Sequence, residues 1–111
     1  MSAIVQAAQA DLLDRLGRDR VILGEAARRL CGFEPGGRDG PVAVVRPASA
    51  EQVEQAIKIG RLRHLPVETR GRLPGWSPDD LRDAIVLELS GLARPPAIDI
   101  GRRVATVGAG V

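Results

Sequence analysis

Few side chains in this 111-residue sequence are suited to covalent catalysis. Cys31 is the only cysteine and His64 the only histidine. Neither has a partner in sequence that would make a nucleophile–base pair or a set of metal ligands. His64 follows Arg63 at the end of an apolar-periodic segment, where a cation complements a helix C-terminus. Cys31 falls on the apolar face of a short helical segment, the position of a small core residue. The stretch with more to offer is LPVETRGRLPGWSPDD, residues 65–80. It opens as a strand, passes through Arg70-Gly71, Gly75 and Ser77, and closes on Pro78-Asp79-Asp80. Strand, glycine-bearing loop and helix start are the layout of a phosphate cradle, in which backbone N–H groups converge on an anion.

The residues inside the loop pull in two directions. Arg72 and Leu73 carry a Cβ where positive φ and close approach to phosphate favour glycine, and Pro74 removes a donor. Asp79 and Asp80 sit in the first helical turn, where they satisfy the helix dipole themselves and repel a diphosphate. Arg70 and Arg72 supply positive charge that can hold phosphate by side chain instead of backbone. Two assignments stay open. One is a plain β-to-α connection, with Ser77 as N-cap and Trp76 covering an apolar face. The other is an altered anion contact built on Arg70, Gly71, Arg72, Gly75 and Ser77, with Trp76 stacked on a base.

The elements that must position this loop follow from periodicity. Residues 3–16 place Ile4, Val5, Ala8, Leu12, Leu13 and Leu16 on one helical face, and Gly17 ends the helix. RVIL (20–23) is a short extended piece, residues 24–33 a second helix, and EPGGRDGP (34–41) a loop. VAVV (42–45) is a continuous β-branched run between prolines, which suits a strand buried on both faces. Ser49 and Gln52 form a capping box that starts a helix with Val53, Ala56, Ile57 and Gly60 on one side. LPVET (65–69) is the next strand. Strand, capped helix and strand make a βαβ unit, so the two strands should run parallel. AIVLELS (84–90) is a third strand. AIDI (97–100) and RVATVGAGV (103–111) form a hairpin around Gly101-Arg102. The expected fold is α+β: N-terminal helices, a small parallel βαβ sheet with a third strand, and a C-terminal hairpin.

In order, these motifs resemble the FAD-binding (PCMH-type) domain of FAD-linked oxidases, the vanillyl-alcohol oxidase/p-cresol methylhydroxylase superfamily. Ala43-Val44-Val45-Arg46-Pro47 with Ser49 and Glu51-Gln52-Val53 is similar to the family's strand and helix start. Leu65-Pro66-Val67 with Arg70-Gly71 is similar to its second strand and loop, and 85–92 to its third strand. Ile98-Asp99-Ile100, Val104–Val107 and Gly108-Ala109-Gly110-Val111 are similar to its hairpin. The lead-in helices resemble those of the 2-hydroxy-acid branch, the glycolate and D-lactate dehydrogenases. The resemblance implies a helical lead-in over 1–40 and, over 41–111, the first subdomain of the FAD-binding domain with the start of the second. It implies FAD as cofactor, contacted by Arg70, Gly71, Arg72, Gly75, Trp76, Ser77, Gly108 and Gly110. It also implies an oxidoreductase for a 2-hydroxy acid or similar alcohol, its substrate domain lying beyond this chain. The small-residue ending at Val111 suits a fragment whose partner is the missing C-terminal part of the enzyme or another subunit, with no turnover from the chain alone. The alternative is a degenerate stand-alone remnant that binds no FAD and associates with itself or a partner through an exposed sheet edge.

Composition fits a globular chain: 44% apolar, 27% charged and net charge +2. Sixteen basic residues, all Arg except Lys58, are interspersed with fourteen acidic ones, and aromatics are scarce, so a nucleic-acid surface is not indicated. One cysteine permits no internal disulfide, and no apolar run approaches the roughly 20 residues of a membrane span. The expected location is cytoplasmic.

Overall fold

The structure, a computed structural model, describes residues 3–71, 78–90 and Leu92. The elements run α1 (Ala3–Leu16), a 3-10 turn (Arg18–Arg20), β1 (Val21–Ile22), α2 (Gly24–Leu30), β2 (Ala43–Val45), α3 (Ala50–Arg63), β3 (Val67–Arg70), α4 (Pro78–Leu81) and β4 (Ile85–Glu88). The fold is α+β, as the sequence led one to expect. The hairpin assigned to residues 97–111 lies outside the described residues.

The four strands make one mixed sheet in the order β1-β2-β4-β3. β2 and β3 do run parallel, but they are not neighbours. β4 enters between them, parallel to both, with Val44 opposite Val86 and Glu68 opposite the same residue from the other side. The reason is burial: β4 is covered along its whole length, whereas β3 is half-exposed throughout. The most apolar strand takes the centre, and the strand carrying Glu68 and Arg70 takes an edge. β1 closes the other side antiparallel to β2.

Strand alternation divides the core between the two faces. Ala43, Val45, Ile85 and Leu87 point to the face covered by Ala8 and Leu12 of α1 and Val53, Ala56 and Ile57 of α3. Val44 and Val86 point to the other face, packed on Ala27, Cys31, Phe33, Leu81 and Ala84. α3 comes close to the sheet because Gly60 has no side chain: a Cβ there would collide with a Val67 methyl.

Local signals set the helix ends. At α3, the Gln52 N–H donates to Ser49 Oγ at 3.2 Å, while Gln52 Oε1 accepts from the Ala48 N–H at 2.7 Å. The reciprocal arm of the capping box thus reaches one residue beyond the cap. His64 ends α3 in the left-handed region, φ 57°, and is exposed, as a C-terminal cap-side residue should be. α2 stops at Leu30, short of the expected Phe33. Gly32 turns at φ 81° and the Phe33 N–H closes on the Arg28 carbonyl at 3.0 Å. α4 begins at Pro78, in keeping with a proline at the first helical position.

Candidate anion site at the strand ends

β2, β4 and β3 all point their C-terminal ends the same way, so the residues that follow them gather at one edge of the sheet. In open α/β sheets ligands bind in the crevice outside those ends. Here the edge carries a cross-strand row of charge. Arg46 extends β2, and its N–H donates to the Arg20 carbonyl at 2.8 Å, continuing the β1–β2 ladder by one step. Glu88 ends β4 and lies in register with Arg70 at the end of β3. The row therefore reads Arg20, Arg46, Glu88, Arg70, on the face of the sheet that covers α2. Pro47, following Arg46, disfavours helical backbone at Arg46 and keeps it in extended continuation of the strand.

The centre of the row is a nearly buried ion pair. Arg46 Nε donates to Glu88 Oε1 at 2.6 Å; the glutamate side chain is 6% exposed and the arginine 48%. Glu88 is the one charged residue buried among the described residues. Its position between flanking guanidinium groups explains how a carboxylate is retained there. Arg70, only 13% exposed, has its own commitments: NH1 donates to the Thr69 carbonyl at 2.7 Å and approaches Glu68 Oε1 at 3.4 Å. Gly71 follows at the same edge, half-exposed.

Beneath the row lies Cys31, 2% exposed. Burial pushes its thiol up to about 11; the Arg70 charge works against this and Glu88 with it. This is the chemistry of an inert core cysteine; Cys31 caps the C-terminus of α2, one residue past the helix on whose face the sequence put it, and packs on Val44 and Val86. No group of His, Cys, Asp and Glu suited to a metal ion occurs among the described residues.

Of the residues the sequence singled out, Arg70 and Gly71 stand at this edge. Arg72, Gly75, Trp76, Ser77, Gly108 and Gly110 lie outside the described residues. The Arg46–Glu88 pair was not singled out. Its two members are 42 positions apart, and only the insertion of β4 beside β2 brings them together. A buried-strand pattern ending in glutamate was the one signal available.

The donor set suits a diphosphate-bearing group. Along the row the guanidinium groups of Arg46 and Arg70 accompany two carboxylates, Glu68 and Glu88, and Arg46 offers a half-exposed fork-shaped donor of the type that matches phosphate oxygens.

Comparison with known proteins bears on the fold and the family. Among solved structures, the chain superimposes on p-cresol methylhydroxylase, crystallised with substrate bound, with a TM-score of 0.61 and 20% identity over 89% of this chain and 21% of the other. It also matches 4-ethylphenol oxidase from Gulosibacter chungangensis, in its isoeugenol complex, with a TM-score of 0.59 and 23% identity over 81% of this chain and 19% of the other. The chain thus spans about a fifth of the length of these structures, and at such identity the likeness is one of fold. No curated protein matches the sequence. Among the described residues no helix is long and apolar enough to cross a membrane. The FAD binding domain family matches residues 41–111, the whole run from β2 to the last residue, and the chain belongs to that family.

Proposed function

We propose that the chain is the FAD-binding portion of a flavin-dependent oxidoreductase acting on a 2-hydroxy acid or a similar alcohol. The observation that carries this is the meeting of Arg70-Gly71 with the Arg46–Glu88 pair at the C-terminal ends of three parallel strands, in a chain of the FAD binding domain family. Bound flavin would supply the electron-transfer chemistry; this chain's residues bind and orient it. Residues 41–111 form the binding portion and residues 1–40 its helical lead-in. Arg70 and Gly71, with Arg72, Gly75, Trp76 and Ser77 of the same loop and Gly108 and Gly110 of the final segment, line the cofactor. The 2-hydroxy-acid class rests on the resemblance of the lead-in helices to that branch. Substrate contacts belong to protein outside this chain, whether its own continuation or another subunit, so the chain by itself turns nothing over.

Titrating purified chain with FAD tests the proposal, with flavin absorbance, flavin fluorescence and the melting temperature as readouts. Ligand at a hundred times its dissociation constant stabilises a fold by about 2.7 kcal/mol, a shift of several degrees for a domain of this size. An unchanged melting temperature and unperturbed flavin spectrum, with the fold intact, would refute cofactor binding by this chain.

A further inference from the structure

We propose that Arg46, held in place by Glu88, is a direct side-chain contact for the diphosphate of the dinucleotide cofactor. This assignment rests on the proposed FAD-binding function. Within the family-matched region, the loop after β3 presents Arg72, Leu73 and Pro74, residues poorly suited to a backbone cradle. A diphosphate held there needs side-chain donors. Of the two guanidinium groups on the parallel strand ends, Arg70 is turned inward and bonded to Thr69 and Glu68. Arg46 differs. Among the described residues its side chain bonds only to Glu88, and nearly half of it faces solvent at the crevice.

The geometry of the pair defines the roles. An arginine fork has five N–H donors and binds phosphate through two of them. Anchoring Nε on a buried carboxylate fixes the plane of the guanidinium before any ligand arrives, which lowers the conformational cost of binding. Glu88 is thus a positioning residue and Arg46 the contact. Extended backbone into Pro47 and the N–H bond to Arg20 secure the main chain on which Arg46 stands.

The test uses the full 111-residue chain and inorganic pyrophosphate, so that it does not depend on flavin. Phosphorus-31 line broadening and the arginine Nε–H resonances of labelled protein are recorded for the native chain, Arg46→Gln, Arg46→Lys, Glu88→Gln and Arg38→Gln, an exposed arginine at the opposite end of the sheet. Circular dichroism checks that each variant is folded. Pyrophosphate should shift the Arg46 Nε–H resonance. Arg46→Gln should weaken binding at least tenfold, Arg46→Lys should recover part of the loss, and Arg38→Gln should change nothing. Glu88→Gln should weaken binding severalfold although it removes a negative charge. Tighter binding in Glu88→Gln would overturn the positioning role. Equal binding by folded Arg46→Gln, or none by the native chain, would overturn the contact itself. FAD and riboflavin, compared on the same proteins, separate this assignment from the function it rests on. Loss of FAD but not riboflavin binding in Arg46→Gln supports the contact. Pyrophosphate binding through Arg46 without FAD binding would keep the contact and discard the flavin function. FAD binding indifferent to Arg46→Gln would do the reverse.

Discussion

The two ends of the sheet both carry arginines, and they use them differently. At the end where β2 and β4 begin, an open cavity of about 780 Å³ is lined by Arg28, Arg38, Arg63, His64 and Asp83, with Ile4 and Val5 of α1. By volume it is the more obvious place for a ligand. Yet two of its cations are spent on the fold. Arg28 donates from Nε to the Asp39 carbonyl, from NH1 to Glu25 and from NH2 to the Glu34 carbonyl, and it lies 5.9 Å over the Phe33 ring. Arg63 ties α3 to Asp11 of α1 at 2.9 Å. At the other end Arg46 is anchored through one neighbour and still faces solvent. A cluster of cations becomes a binding site when its donors are oriented and left available. Cavity volume alone is a poor guide.

That contrast can be broken or sharpened by experiment, starting with the strand both ends share. Leu87, fully buried at the centre of β4, should cost about 2–5 kcal/mol when changed to alanine. Chemical denaturation should show one cooperative transition, since the same strand supports both ends; two separated transitions would mean that the ends fold independently. Cys31 reports on the floor of the charged row. Its thiol, pushed up to about 11, should carry a hundredfold smaller thiolate fraction near neutral pH than a thiol at its ordinary value. An aromatic disulfide reagent at pH 8 should therefore label it at a rate set by unfolding. The sign for stability follows. The folded state holds this proton more tightly than the unfolded state, so the contribution is complete below about pH 9 and is lost as pH rises toward 11. Stability rising across that window would place the thiol in a different environment.

The opposite end gives smaller effects. Arg28→Ala removes the donor to two carbonyls and the packing on Phe33. It should destabilise by about 1–3 kcal/mol and leave pyrophosphate binding unchanged. A loss of anion binding in that variant would erase the distinction between the ends. Ser49→Ala, which removes only the cap of α3, should cost about 1 kcal/mol, read from the urea midpoint with an unchanged slope. A cost near zero would leave the cap without energetic weight.

Much of the fold was legible because it is written locally. The Ser49 cap, the turn at His64, the doubly buried run at β2 and most of the α1 face follow from residues within a few positions of one another; of that face Ala8, Leu12 and Leu16 are buried, but Ile4, at the first turn, stays 54% exposed. The site was legible only in part. Arg70-Gly71 could be found as a strand followed by a glycine-bearing loop, whereas Arg46 and Glu88 look like an ordinary strand end and an ordinary acid until β4 takes its place. The helical extent of α2 was overestimated because Gly32 and the return of Phe33 onto the Arg28 carbonyl terminate it within an apolar pattern that continues past the turn.

By itself, then, the sequence determined the kind and approximate extent of the principal helices and strands among the described residues, most of the residues they bury, and a family resemblance carried by short motifs in a characteristic order. The tertiary structure decided the strand order, with β4 between β2 and β3, and through it the row Arg20, Arg46, Glu88, Arg70. The physical reason is range. Caps, turns and periodicity act over one to four residues. The choice of central strand depends on which strand gains most from being covered on both faces, and that is settled only when all of them compete for the same core.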